Sequence, residues 1–262
     1  MGIVNVTPDS FSDGGLYADT DTAIAQGRRL QAEGAEILDI GGESTRPGAS
    51  PLAPDAEIAR VVPVIRALAA EGALISVDTR RAAVMRAAIE AGARIVNDVT
   101  ALDGDKESLS VVRDSGVSVV LMHMRGEPQT MQVNPTYDDV VKDVAAYLAG
   151  RVQACRAAGI APERIAVDPG IGFGKTVEHN LQLLSGIDRL RALDVAVLVG
   201  ASRKAFIGKL SRGEAAPERV FGSIAAALAS VARGAHIVRV HDVAATRQAL
   251  AVWRAIARQA AD

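Results

Sequence analysis

Eight short apolar runs recur along the chain, and nearly every one closes on a polar residue. They are GIVN (Gly2–Asn5), EILDIGGES (Glu36–Ser44), LISVDT (Leu74–Thr79), RIVND (Arg94–Asp98), VSVVLMHM (Val117–Met124), RIAVDPG (Arg164–Gly170), VAVLVGASR (Val195–Arg203) and HIVRVHD (His236–Asp242). The closing residues are Asn5, Asp39, Asp78, Asn97, His123, Asp168, Ser202, and Arg239 with His241. Unbroken Val/Ile/Leu runs of this length are how parallel strands buried on both faces read. Between them the apolar positions fall at helical spacings: Ile24, Leu30; Ile58, Val61, Val62, Ile65, Leu68; Leu181, Leu184, Ile187, Leu190; Val243, Leu250, Trp253, Ile256. Gly34, Gly72, Gly92, Gly116, Gly159 and Gly234 each stand shortly before a strand, where a helix ends on a left-handed residue. Eight strand–helix alternations predict one α/β domain over residues 1–262, a (β/α)8 TIM barrel with its active site at the carboxyl ends of the strands. Trp253 is read as packing on the outer face. The apolar stretch Ile224–Val231 suits burial against the barrel, in a dimer, or in both.

Two connections are too long for simple turns: Thr7–Asp19 (TPDSFSDGGLYAD) and Glu43–Pro54 (ESTRPGASPLAP). Their Pro, Gly, Ser and Asp content predicts irregular structure, and long loops at the active face of a barrel are usually lids or binding loops. Phe11, in a chain with eight aromatic residues, and Arg46, between Thr45 and Pro47, mark them as functional.

Composition narrows the class. The 262 residues are 49% hydrophobic with a net charge of −2, enough for a full core and without the basic footprint of nucleic-acid binding. No apolar run reaches the roughly 18 residues of a membrane span, and no signal peptide is visible. Val6 stands where a myristoylation motif needs Ser or Thr. The single cysteine, Cys155, lies inside a helical pattern away from every strand end; it is read as a buried thiol in a reducing cytoplasm.

The strand ends carry the chemistry. Asp78, Asn97 and Asp168 converge on one mouth, and an amide with two carboxylates suits a flat, nitrogen-rich heterocycle. Asp98 reads as a helix N-cap. Lys204, Arg239 and His241 come from the last two strands, with Arg46 on the second long loop. Together with a helix start near Ser202-Arg203-Lys204 they make an anion site where barrels often bind phosphate. Gly170–Thr176 (GIGFGKT) fits neither a P-loop nor a dinucleotide fingerprint; its glycines allow close backbone approach to a ligand, with Phe173 against it. His123 and His179 have no metal-ligand spacing, so a zinc site is not expected. The last turn of strand six has no Schiff-base lysine, and strand one has no His-x-His.

The strings MGIVNVTPDSFSDGG, GGESTRPGA, ISVDT, NDV, LMHMRGEPQTMQ, DPGIGFGKT, GASRKAFIG and GAHIVRVHDV resemble, in order and from Gly2 to about Val243, those of the dihydropteroate synthases. The resemblance implies a transferase of folate synthesis. Such an enzyme joins 4-aminobenzoate to (7,8-dihydropterin-6-yl)methyl diphosphate with Mg2+ and releases diphosphate, through a dissociative step with two ordering loops. It implies pterin binding by Asp78, Asn97, Asp168, Lys204, Met122 and Phe173, and magnesium and diphosphate at Asn5. Arg239, His241 and Arg46 then hold diphosphate, and Phe11, Thr45, Pro47 and Ser202 hold 4-aminobenzoate. Asp78, Lys204, Arg46, Arg239 and His241 would carry catalysis. It also implies sulfonamide inhibition, a homodimer, and a cytoplasmic enzyme. Family members usually carry an extension before the first strand; with the chain starting at that strand, the extension is expected to be absent. A pterin-binding methyltransferase would share the rim but not the TPDSFSDGG and STRPG loops. A non-catalytic scaffold would show damaged motifs, and none is damaged.

Overall fold

Strand periodicity decides what faces what. In this computed structural model, residues 1–6, 15–43, 52–127 and 129–259 are described. Eight parallel strands lie in chain order: β1 (Gly2–Asn5), β2 (Leu38–Gly41), β3 (Ile75–Asp78), β4 (Ile95–Asp98), β5 (Ser118–Met122), β6 (Ile165–Asp168), β7 (Ala196–Val199) and β8 (Ile237–Val238). Alternate residues point to opposite faces. One set, including Val4, Leu38, Ile40, Ile75, Val77, Val96, Leu121, Val167 and Val197, packs into the main core beneath the helices. The other set begins as an apolar lower layer of Val120, Ala166 and Leu198, with Met1, Ile95, Ala196 and Ile237 against it. By the same alternation, Asn5, Asp39, Asp78, Asn97, Met122 and Asp168 continue this inner face upward, as does Arg239 just past β8. The apolar runs are therefore continuous because one parity serves the helices and the other fills the inside.

The sheet curls, and an isolated parallel bridge links its first strand to the residues just past its last. Gly2 pairs in parallel with Leu38 on one side and with Val240 on the other. Ile3 N–H donates to the Val240 carbonyl (3.1 Å) and Val240 N–H to that of Met1 (3.0 Å). The last strand is shorter than the run His236–Asp242 suggests, only Ile237–Val238, although Arg239 N–H still donates to the Val199 carbonyl (3.0 Å).

The helices are α1 (Gly15–Ala32), α2 (Pro54–Ala70), α3 (Ala82–Glu90), α4 (Ser108–Ser115), α5 (Val140–Ala157), α6 (Val177–Ser185), α7 (Ile187–Arg191), α8 (Ala205–Leu210), α9 (Val220–Ala232) and α10 (Val243–Gln259). Three points differ from the sequence expectation. Helix α1 begins at Gly15, inside the stretch read as loop, since Leu16, Tyr17 and Ala18 carry ordinary helix propensity. The apolar series Leu181–Leu190 is broken at Gly186, which ends α6 and starts α7. Asp98 caps no helix; it closes a turn by accepting from Thr100 N–H (2.7 Å) and Leu102 N–H (2.9 Å). The six glycines expected to terminate helices all have positive φ, and Cys155 is a buried free thiol. No helix among the described residues is long and apolar enough to cross a membrane.

Helix α9 is unusual in what it hides. It buries Ser223, Ala227 and Ser230 and presents Phe221, 85% exposed. With Ile224 and Leu228 this face and α10 line a groove of about 500 Å3, completed by Val252, Trp253 and Ile256.

Candidate active site

Register brings the polar ends together. Gly41 of β2 pairs with Asp78, and Asp78 with Asn97; on the other arc Met122 pairs with Asp168. Asn5 lies opposite Gly41 at the end of β1. Arg239 stands at the centre. Its Nε donates to Asp39 Oδ2 (2.5 Å) and its Nη2 to Asp78 Oδ2 (2.8 Å), while Asn97 Nδ2 donates to the same Asp39 oxygen (3.1 Å). Asp39, which the sequence places at a strand end, is thus one layer below the rim and fully buried.

The charges shape one another. Burial pushes the Asp78 carboxyl up to about 7; Arg239 pulls it down, whereas Asp39, Glu57 and Asp98 push it further up. Burial also raises Asp168, opposed by the Gly170 N–H that donates to its Oδ1 (2.7 Å) and by Lys204, Arg239 and Lys175. Burial disfavours the Arg239 charge, but Asp39 and Asp78 outweigh it and hold the guanidinium above its ordinary range.

The loop after β6 is fixed from several sides. Lys175 is buried, donating to the carbonyls of Phe173 (2.9 Å) and His123 (3.4 Å), with His123 Nδ1 3.0 Å from its Nζ. Tyr137 Oη donates to the Gly174 carbonyl (2.8 Å), and Gly172 N–H donates to Asn180 Oδ1 (2.7 Å). These bonds hold the Phe173 ring 4.0 Å below the Lys204 ammonium, a cation–π contact that forms one wall of a slot. Lys204 itself occupies the N-cap position of α8, without a side-chain cap bond, close to the helix start expected from the sequence.

Ser202 and His241 form a pair, with Oγ 3.0 Å from Nδ1 and accepting from His241 N–H (3.2 Å). Burial, then Arg203 and Arg239, drive His241 down to about 3. The sequence grouped it with the cations; here it is a neutral imidazole, able to meet an anion through an N–H rather than a charge.

His123 has the same neutrality, pushed down to about 3 by burial and by Lys175. An unfolded histidine titrates near 6.5, so between pH 6.5 and 3 the unfolded chain binds the extra proton. The His123 share of stability is complete above pH 6.5 and erodes as pH falls, by about 2 kcal/mol at pH 5. His123→Asn keeps an acceptor near Nδ1 but cannot titrate. Its unfolding free energy should change less between pH 7 and 5 than that of the parent; equal slopes in chemical denaturation would refute the assignment.

Of the residues expected at the site, Asp78, Asn97, Asp168, Met122, Asn5 and Arg239 share the inner face, Lys204 stacks on Phe173, and Ser202 pairs with His241. Phe11, Thr45, Arg46 and Pro47 lie outside the described residues. The sequence names Asp39 only as a strand end and Lys175 only within GIGFGKT, with no site role for either; strand parity identifies the first, while nothing local distinguishes the second. A separate cleft of about 870 Å3 on the outer wall, lined in part by Tyr137, Asp139, Glu178, His179 and Arg189, contains none of the inner-face groups.

The inner face therefore gathers carboxylates, an amide and a guanidinium at one mouth of a barrel-like sheet, as a small-molecule enzyme of this fold class does. Residues 1–241 match the pterin-binding enzyme family. The chain is 53% identical to the dihydropteroate synthase of Neisseria meningitidis serogroup B, across 98% of this chain and 92% of the relative. Among solved structures, the dihydropteroate synthase of Xanthomonas albilineans with 4-aminobenzoic acid superposes with a TM-score of 0.92 at 52% identity, covering 98% of this chain and 92% of that one. The Yersinia pestis enzyme in a sulfonamide drug complex does so with a TM-score of 0.92 at 43% identity, covering 98% and 94%. The chain belongs to the dihydropteroate synthases, transferases of folate synthesis.

Proposed function

We propose that this enzyme joins 4-aminobenzoate to (7,8-dihydropterin-6-yl)methyl diphosphate, giving 7,8-dihydropteroate and diphosphate, in a closed (β/α)8 barrel forming a single domain. The observation that carries the reading is the inner-face set Asp78, Asn97 and Asp168, with Arg239 among them, in a chain of this family. The carboxylates accept from the N–H groups of the pterin, and the amide of Asn97 completes the recognition. Met122 and the Phe173–Lys204 pair line the slot.

The reaction runs by loss of the leaving group first. The carbon–oxygen bond at the pterin methylene breaks and its electron pair leaves with diphosphate. The resulting cation delocalises into the ring, where ionised Asp78 stabilises it. The amine of 4-aminobenzoate, neutral at pH 7, attacks with its lone pair and then loses a proton to solvent or to the departing diphosphate. It needs placing more than deprotonating. Arg239, His241 and Arg46 meet the diphosphate where negative charge develops. Phe11, Thr45, Pro47 and Ser202 receive 4-aminobenzoate.

Magnesium fits as a companion of the diphosphate. Among the described residues no cluster of three His, Cys, Asp or Glu side chains could hold a metal. The Asn5 amide oxygen, however, is a hard donor of the kind Mg2+ accepts beside substrate phosphates. When bound, Mg2+ neutralises charge on the leaving group.

The deciding experiment combines purified protein, Mg2+, the pterin diphosphate and labelled 4-aminobenzoate. Labelled dihydropteroate matched by diphosphate release supports the reading; a folded sample that binds no pterin defeats it. The two long loops imply ordered binding, pterin first, with sulfonamides competing against 4-aminobenzoate. Calorimetry should show 4-aminobenzoate binding only when pterin diphosphate or diphosphate is present; binding to the free enzyme contradicts the order.

The exposed apolar face of α9 and α10 supports a homodimer. Helix α9 buries serine and alanine while showing Phe221, and α10 shows Ile256 beside it, so the large side chains of this face are aimed at a partner. Phe221→Asp should convert the dimer to monomer in sedimentation velocity without changing the melting cooperativity; an unchanged dimer excludes this face.

A further inference from the structure

Among the described residues Asp39 is the one fully buried carboxylate of the inner face, and it touches two site residues at once. Its Oδ2 accepts from Arg239 Nε at 2.5 Å and from Asn97 Nδ2 at 3.1 Å. Its Oδ1 meets no donor among the described residues. A buried carboxylate with an oxygen left unsatisfied costs stability, and buried ion pairs in general do not exceed a well-packed apolar replacement. Core stability is therefore a poor account of its presence. Its partners give a better one. Arg239 is bracketed by Asp39 from below and by Asp78 at 2.8 Å from the rim. The pterin needs the Asp78 carboxylate, and so must take it from Arg239.

We infer that Asp39 is a positioning residue for the reaction proposed above: it keeps Arg239 oriented and charge-compensated while Asp78 is surrendered to the pterin, and it sets the amide of Asn97. With Asp39 present, Arg239 retains one ionic partner after the exchange and its remaining N–H groups turn to the diphosphate. Without that charge, Arg239 depends on Asp78 alone, and pterin binding has to break an exclusive pair. The same bond fixes Asn97: because Nδ2 donates downward to Asp39, Oδ1 is the atom left for the ligand.

The test is steady-state kinetics of Asp39→Asn, which keeps the shape and removes the charge. The KM for the pterin diphosphate should rise at least tenfold while that for 4-aminobenzoate changes less than twofold. The acid limb of kcat/KM for the pterin substrate should also move to lower pH. The groups facing Asp78 are Arg239 past β8, Asp39 on β2, Glu57 on α2 and Asp98 on β4; losing Asp39 removes one that pushes its carboxyl up. A double-mutant cycle with Arg239→Met completes the test, since residues acting through one another do not add. Asp39→Asn should have little further effect in that background. If Asp39→Asn alone does not fold, Asp39→Glu keeps the charge but displaces its oxygens by one methylene, and the same selective rise in the pterin KM is expected of it. An unchanged pterin KM, an equal rise for both substrates, or an undiminished loss in the Arg239→Met background overturns the inference while leaving the reaction intact. A parent enzyme that makes no dihydropteroate overturns both.

Discussion

Asp78→Ala should lower kcat/KM for the pterin diphosphate by about a hundredfold or more, roughly 2.7 kcal/mol of transition-state stabilisation. Two losses combine. The pterin loses a charged acceptor in a dry site, where hydrogen bonds to ionised groups count for more than neutral ones. The cation that develops at the pterin methylene also loses the ionised carboxylate that stabilises it. Asp78→Asn separates charge from shape. It retains an oxygen and the volume but cannot stabilise a cation. Because the carboxyl sits at about 7 in the free enzyme, the parent kcat/KM should climb with pH through that value as the ionised fraction grows, and the climb should be missing in Asp78→Asn. Full activity and an unaltered pH profile in Asp78→Asn would remove Asp78 from the mechanism.

Gly170→Ala should be the most damaging single methyl group in the site. Gly170 has φ +68, and a Cβ there would fall 1.9 Å from the His123 carbonyl oxygen, a backbone atom that cannot rotate away. The left-handed conformation costs alanine about 1–2 kcal/mol, and the collision forces the β5 and β6 loops apart on top of that. A loss of at least about 3 kcal/mol is expected, a fall in Tm of roughly 6–12 °C for a chain of this size. Gly116→Ala is the control. Its φ is +75 but nothing lies within 4 Å of the added methyl, so only the conformational cost applies. Equal melting shifts for the two variants would show that the close approach at Gly170 is not restrictive. Activity should follow the same division, because the peptide at Gly170 precedes the loop that sets Phe173 beneath Lys204.

Much of this was readable from residue order alone. The eight runs locate the eight strands, and their polar closing residues locate the mouth, because a parallel strand in a closed-in sheet can place a polar side chain only where the apolar layer ends. Parity then sorts Asp78, Asn97 and Asp168 onto one face. What residue order could not supply is pairing at long range. Arg239 and Asp39 are 200 positions apart, and only the curling of the sheet, with Gly2 beside Val240, brings them into contact. Read alone, Arg239 is a cation awaiting an anion; in place, it already has two. The neutrality of His241 is likewise a product of burial beside Arg203 and Arg239, which no local pattern reports. The α6–α7 break at Gly186 and the brevity of β8 follow the same rule: apolar spacing fixes which residues face the core but not where a helix or ladder is interrupted.

The apolar lower layer has a consequence for anything that enters. Val120, Ala166 and Leu198 stop up the interior below Asp39 and Asp168, so the interior is a well with one opening rather than a tunnel. If the proposed reaction runs there, visitors would queue: the deeper guest would have to arrive before the one above it. A compound that fills the depths needs no accomplice and blocks both substrates outright. One that rests in the neck needs the depths occupied beneath it, and its potency should increase as the pterin substrate is raised. Inhibitors of the two kinds would thus be told apart by the sign of their response to a single concentration.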